Sequence, residues 1–367
     1  MAGAAGAAAT QDIGGVAGGS GNEFWQVTNL YSRKNKSGQV PATQLGGGQI
    51  DGGAPIDAVG FLRGIRLECR STGGVGTPAA DNPGNLMKYL GLADTGGEQI
   101  INNLMDGWTW IQMQRHFRPW LKDPMLAWDY AQSASPSVTY FLQPEVRQQL
   151  GVLENTDTRQ QYSWNQSLNT AAAIGATGTA PTTTVTCYVD VWAQPDVTDL
   201  EGTDNQRIPD GVNLQIKTRQ QTFTLNNAGA DNIFLSSLTG NALRGALLIA
   251  RDSNNARQDY FSNPINWLLD DRTLSIVDID MYIQWAEDFY ASFGQPRAPR
   301  PTGLFPFPRY YNVGAMLGQG WLYTSNATAV SWETSTLSTA SNVPGTVKLA
   351  QEEVYNVGPV DTSLLDL

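Results

Sequence analysis

Histidine is almost missing from this chain: His116 is the single example in 367 residues. One imidazole excludes His-rich metal centres, and it leaves only that position around which a Ser-His-Asp or Cys-His arrangement could be built. Cysteine is nearly as scarce. Cys69 and Cys187 each sit in an apolar run that reads as a strand, with nothing in the spacing to pair them, so both are expected as buried thiols. Glu and Lys, two strong helix formers, number 10 and 6, which leaves little material for long surface helices. Nor does any stretch approach the roughly 18 uninterrupted apolar residues of a membrane-spanning helix.

Positive charge is also short. Lys plus Arg is 23 against 34 Asp plus Glu, a net charge of −11, and charged residues make up only 16%. The bases are scattered, apart from Arg33, Lys34 and Lys36 and a Pro-rich run around Arg297 and Arg300. A sequence-specific nucleic-acid binder is therefore not expected, because phosphate neutralisation supplies much of such affinity. No GxxxxGK[ST], strand-coupled GxGxxG, CxxC or HExxH occurs, so no cofactor is expected. The acidic stretch 196–211, with Asp196, Asp199, Glu201, Asp204 and Asp210, misses the spacing of a calcium loop and is expected to be solvated. Asp278/Asp280 and Glu352/Glu353 are carboxylate pairs of the kind a glycosidase uses, and eleven Trp could stack on sugars. Such pairs are common in sandwich proteins, however, and the Trp are spread along the chain, so packing is their expected role. No catalytic or metal-binding residue is assigned, and the chain is not expected to be an enzyme. Residues 1–20 lack the basic and apolar regions of a signal peptide, so synthesis in a cytoplasm is expected.

What is abundant is Gly, Thr, Ser, Asn, Trp and Tyr, the vocabulary of many strands and turns. Period-2 runs occur at 60–70, 185–192, 212–218, 222–225, 275–285, 320–325 and 346–350, separated by turn signals such as NPGN, RIPDGV and VPG. The class is all-β, of sandwich type. Residues 1–54 are Gly/Ala-rich and read as a flexible N-terminal arm with one apolar patch, Phe24, Trp25, Val27, Leu30 and Tyr31. That patch requires either a neighbouring subunit or the arm's own domain to cover it.

The chain also repeats itself. A shift of 181 matches Leu62, Arg63, Gly64, Leu67, Arg70, Asn82, Pro83 and Asn85 with Leu243, Arg244, Gly245, Leu248, Arg251, Asn263, Pro264 and Asn266. A second block, at a shift of 172, matches Asp106, Ile111, Gln112 and Phe117 with Asp278, Ile283, Gln284 and Phe289. Two blocks in one order imply duplication of a whole β domain, with units over 55–229 and 230–367 joined near 226–231. The repeated residues are turn and core types, so they read as scaffold.

An acidic all-β chain of this length, duplicated by the LRGxxL, NPxN and IQ repeats and preceded by a low-complexity arm, resembles the double jelly-roll major capsid proteins of tailless icosahedral, tectivirus-like viruses and bacteriophages. The resemblance implies two tandem eight-stranded jelly rolls and a homotrimer forming a pseudo-hexameric capsomer. It also implies contacts with neighbouring capsomers and minor capsid or vertex proteins, in a virion assembled in the host cytoplasm. Members that enclose a membrane often present a basic or amphipathic N-terminal segment, which the Ala/Gly arm lacks. The alternatives are a two-sandwich glycan-acting enzyme and a glycan- or receptor-binding virion protein.

Overall fold

A computed structural model describes residues 26–27, 31–39, 52–56, 61–94, 96–144, 151–155, 157, 159, 161–193, 215–225, 230–235, 241–270, 272–309, 321–324, 328–337 and 340–355. The first part of the chain holds β1 (Gln26–Val27), β2 (Tyr31–Gln39), β3 (Gly52–Pro55), β4 (Phe61–Thr72), β5 (Met87–Ala93), β6 (Gln99–Met105), helix α1 (Gly107–Phe117), β7 (Ser137–Leu142), β8 (Leu153–Glu154), β9 (Ser163–Leu168) and β10 (Thr182–Ala193). The second part holds β11 (Gln215–Thr224), β12 (Ala230–Phe234), β13 (Ala242–Arg251), β14 (Ile265–Leu269), β15 (Arg272–Val277), helix α2 (Ile279–Ala291), β16 (Leu304–Pro308), β17 (Leu322–Tyr323), β18 (Val330–Ser335) and β19 (Thr346–Tyr355).

The sheet orders show the duplication strand by strand. In the first unit β2 pairs with β10, β10 with β4, and β4 with β7 and the short β8, while the other layer runs β6-β5-β9-β3. The second unit repeats both: β11-β19-β13-β16, with the short β17 beside β13, over β15-β14-β18-β12. Each unit thus has eight main strands and one helix following the same strand. Alternation along β4 puts Leu62, Ile65, Leu67 and Cys69 in the first core, and the matching Leu243, Ala246, Leu248 and Ala250 of β13 lie in the second.

The units share a sheet. β11 meets β6 in parallel at Thr218 and Ile101, which joins one layer of each unit into nine strands. Because β11 also runs antiparallel to β19 from Gln215 to Thr224, it is the opening strand of the second unit. The boundary expected at 229/230 therefore falls between that unit's first two strands. The arm expected over 1–54 needs a matching correction: β1 and β2 pair with β10, and β3 with β9, so the first unit takes its opening strands from that segment.

Two helices replace expected strand or unassigned sequence. The alternation over 275–285 ends at Val277, where Asp278 caps α2 by accepting a hydrogen bond from Met281 N at 3.1 Å. Asp106, its repeat partner, caps α1 in the same way from Thr109 N at 2.9 Å. Downstream of Asp278 the buried positions Ala286 and Tyr290 are four apart, a helical spacing. Farther along, the described part of the run expected at 320–325 holds the two residues of β17.

Candidate functional site

The LRG repeat marks the same local device in both units. On β4 and on β13 the pairing register shifts beside the Arg, Leu62 lying opposite Val191 and Gly64 opposite Asp190, Leu243 opposite Glu353 and Gly245 opposite Glu352. A bulge of this kind re-aims one side chain. Each Arg meets the carboxylate facing the following Gly: Arg63 reaches Asp190 at 3.6 Å, and Arg244 pairs with Glu352. The NPxN turns have diverged. Asn82 donates to the carbonyls of Ser133 and Ile174, at 2.6 and 2.8 Å, whereas Asn263 donates to the capping Asp278 at 2.5 Å. Asn85 donates to the Ala173 carbonyl at 2.6 Å and Asn266 to Glu333 at 3.0 Å. The Pro83 and Pro264 peptide bonds are both cis.

In the second unit this device becomes the joint between units. Helix α1 is buried along its whole length. Arg118, at its C-terminal cap, reaches Glu352 Oε2 at 2.7 Å while Arg244 holds Oε1, and Arg244 also donates to the Phe117 carbonyl at 3.2 Å. Gly245 has room for no side chain, since a Cβ there would sit 2.7 Å from the Phe117 ring. At the other end of α1, Trp108 lies beneath Arg251 and Arg257 at 5.3 and 4.8 Å, and both arginines pair with Asp81, at 2.7 and 2.6 Å. Around these groups the outward face of the second unit is apolar. Leu247, Ile249, Leu304 and Ala350 belong to the core that contains α1.

Two ion pairs clamp the shared sheet, Lys217 with Glu98 and Lys348 with Asp106 at 2.8 Å. Burial opposes ionisation of Asp106, but the Lys348 ammonium and the hydrogen bonds from Lys348 and Thr109 outweigh it and hold the carboxyl at about 2, from an ordinary 3.8. Glu352 is likewise lowered: burial alone would raise it, and Arg118 and Arg244 more than compensate. The sign follows from linkage. A depressed carboxylate stabilises the fold above its unfolded value, and that stability is lost as pH falls through the folded one. The joint is expected to weaken between about pH 4 and pH 2, with Asp106 contributing about 2 kcal/mol at neutral pH. Thermal unfolding of Lys348→Met across that range checks this: its deficit relative to the parent should shrink toward pH 2, and a deficit constant with pH would refute the assignment.

Several of the groups weighed as chemistry have packing, capping or ion-pair partners. His116 is buried with its ring 4.8 Å from that of Tyr290, and burial, then Arg115, Arg297 and Arg300, keep it neutral by lowering it well below its ordinary value. Glu352 and Glu353 are consecutive on β19, so they point to opposite faces, and burial raises Glu353 while Asn241 donates to it at 3.1 Å. Asp278 caps a helix whose first turn holds Asp280. Cys69 and Cys187 are buried thiols outside any disulfide. Among the described residues no cluster of His, Cys, Asp or Glu could hold a metal. Trp108, Trp110, Trp164, Trp267 and Trp332 are buried, whereas Trp128 is 83% exposed. The acidic stretch 196–211, and Phe24, Trp25 and Leu30, lie outside the described residues; Val27 and Tyr31 fall in β1 and β2.

Sequence reasoning missed Arg118 and Glu352 as members of the joint. The one available signal was a pair of carboxylates in a strand with Val347, Leu349, Ala350 and Val354, since a carboxylate buried among apolar residues demands a cation nearby.

No family model and no curated protein matches the sequence. Solved structures do match the fold. The atomic structure of Sulfolobus Turreted Icosahedral Virus contains a chain with a TM-score of 0.58 and 13% identity, matched over 93% of this chain and 94% of that one. The crystal structure of the STIV MCP gives 0.52 and 12%, over 93% and 100%. The PBCV-1 virus capsid gives 0.53 and 11%, over 90% and 97%. The protein has the double jelly-roll fold of these capsid proteins, along almost the full length of both partners.

Proposed function

We propose that the chain is the major capsid protein of an icosahedral virus, a structural subunit whose homotrimers present six rolls as a pseudo-hexagonal capsomer. The observation that carries this reading is the doubled roll itself, repeated strand for strand in a chain with the length and fold of viral capsid subunits. The joint supports it: buried ion pairs and an aromatic plug hold the two rolls at one angle, and a shell subunit must transmit a fixed angle to its neighbours. Of the carboxylates weighed for catalysis, Glu352 is held in that joint and Asp278 caps α2. In this reading the virion is the site of function, and the partners are neighbouring capsomers and minor capsid or vertex proteins. Residues ahead of β1, with Phe24 and Trp25, contact a neighbouring capsomer.

The test is solution mass by light scattering, followed by imaging of the same fraction. A compact trimer with a pseudo-sixfold outline that closes into shells is expected, and a two-lobed monomer at micromolar concentration would overturn the proposal. Removing residues 1–22 is expected to leave the capsomer intact and to impair shell formation.

A further inference from the structure

The Pro-rich run that carries Arg297 and Arg300 links α2 to β16 of the second roll, and it is laced to the first. Arg115, near the C-terminal end of α1, donates to the Ala298 carbonyl and, at 3.2 Å, to that of Pro299. Arg297 returns a hydrogen bond to the Arg115 carbonyl at 2.9 Å, and Asp123 accepts one from Ala298 N at 2.9 Å. Pro296, Pro299 and Pro301 fix the backbone between and beside these ties. The run is a stiff strap from one roll to the other.

Between α1, α2, the strap and β16 lies a cavity of about 670 Å³, open to solvent and of the size that small-molecule sites have. Much of its wall is apolar: Ile283, Ala286 and Ala291 from α2, Pro296 and Pro299 from the strap, and Pro306 from β16. Set into this wall are Arg115, Arg297 and Arg300 against one acid, the exposed Glu287. The carboxylates that pair with Arg115 and Arg300, Asp123 at 3.0 Å and Asp259 at 3.1 Å, do not line the cavity. The Arg297 guanidinium lies 4.5 Å over the Tyr290 ring, which meets the His116 ring at 4.8 Å. Burial, and then the like charges of Arg115, Arg297 and Arg300, keep that imidazole neutral, so the field on this side of the cavity is positive.

We infer that this cavity is a binding site for a small organic anion, a carboxylate carried on an aliphatic body. The head group is met by the arginines of the strap, since guanidinium groups suit planar anions, and the body lies along Ile283, Ala291 and the prolines. A cation is repelled by the same guanidinium groups, and an anion without a body leaves the apolar wall wet. Occupancy ties α1 of the first roll to α2 of the second, at a place apart from the buried ion pairs of the joint. A ligand held there stabilises the folded chain by mass action. This goes beyond the capsid reading and holds whether or not the chain assembles.

The test is calorimetric titration of the full chain at low ionic strength with octanoate, beside acetate, octan-1-ol and octylammonium. Octanoate is expected to bind saturably, about tenfold or more tighter than each of the other three, and to raise the temperature of unfolding. Arg297→Gln is expected to weaken octanoate binding by about tenfold. Glu287→Gln, at an exposed position of α2, is expected to tighten it by about threefold, a gain that damage to the fold does not produce. Octanoate that does not bind, that binds no better than octan-1-ol, octylammonium or acetate, or that keeps the parent's affinity in both variants would overturn the site and leave the capsid reading standing.

Discussion

Replacing Glu352 by Gln is expected to destabilise the protein by about 3–5 kcal/mol, the cost of stripping a buried ion pair of one partner. Here the single carboxylate serves two guanidinium groups, Arg118 at 2.7 Å and Arg244, and all three side chains are at most 4% exposed. With the carboxylate neutralised, two cations remain in a joint closed to water. The equivalent position in the first roll gives the control. Asp190 and Arg63 are 3.6 Å apart with side chains 15% and 21% exposed. Asp190→Asn is therefore expected to cost about 1 kcal/mol or less, as partly solvated pairs do. Chemical denaturation of the two variants beside the parent decides the matter. Equal losses would mean that Glu352 does no more than its counterpart and that the joint is held elsewhere.

Gly245→Val should separate the two rolls thermodynamically. Its Cβ would lie 2.7 Å from one carbon of the Phe117 ring, and further ring atoms are at 3.2 Å, so the aromatic plug has to leave its seat. Overpacking of this kind costs about 1–3 kcal/mol in a well-packed core. The loss falls where the first core, to which Phe117 belongs, meets the second roll, and leaves the second core untouched. Calorimetry is expected to show one transition for the parent and two for Gly245→Val, the lower shifted down. A single transition at the parent's temperature would show that the ring yields freely. Gly64, the repeat partner, is crowded by backbone instead, 2.5 Å from the Leu142 carbonyl oxygen, so a substitution there strains the first roll internally.

The parts of this architecture that the sequence displays are those where one face of an element differs chemically from the other. β10 reads clearly because Val185, Cys187 and Val189 alternate with Thr186 and Tyr188, inside against outside. β13 is buried on both faces, so its alternation disappears into ALRGALLIAR, and it becomes visible only as the repeat of β4. Helix α1 is hidden for a similar reason: a helix buried all round has no polar stripe to set the period. In α2 the local spacing misleads, since Val277, Ile279, Met281 and Ile283 alternate with Asp278, Asp280 and Tyr282 past the cap. Most of the joint was illegible because its partners are far apart in the chain. Arg118 and Glu352 are separated by 234 positions, and the repeats single out only Asp106, Phe117, Arg244, Gly245 and Arg251.

The unequal outer faces of β4 and β13 also bear on how the chain is made. A ribosome delivers the first roll before the second, and domains generally fold in that order. The roll that emerges first wears Arg66, Glu68 and Arg70 on its outer sheet, a surface that tolerates water while the rest of the chain is still being synthesised. The roll bearing Leu247 and Ile249 arrives last, when the helix that will cover them is already folded nearby. In the opposite order, the greasy sheet would stand uncovered throughout translation, with other nascent chains as its first available partners. The order of the two halves is itself a safeguard against aggregation during synthesis.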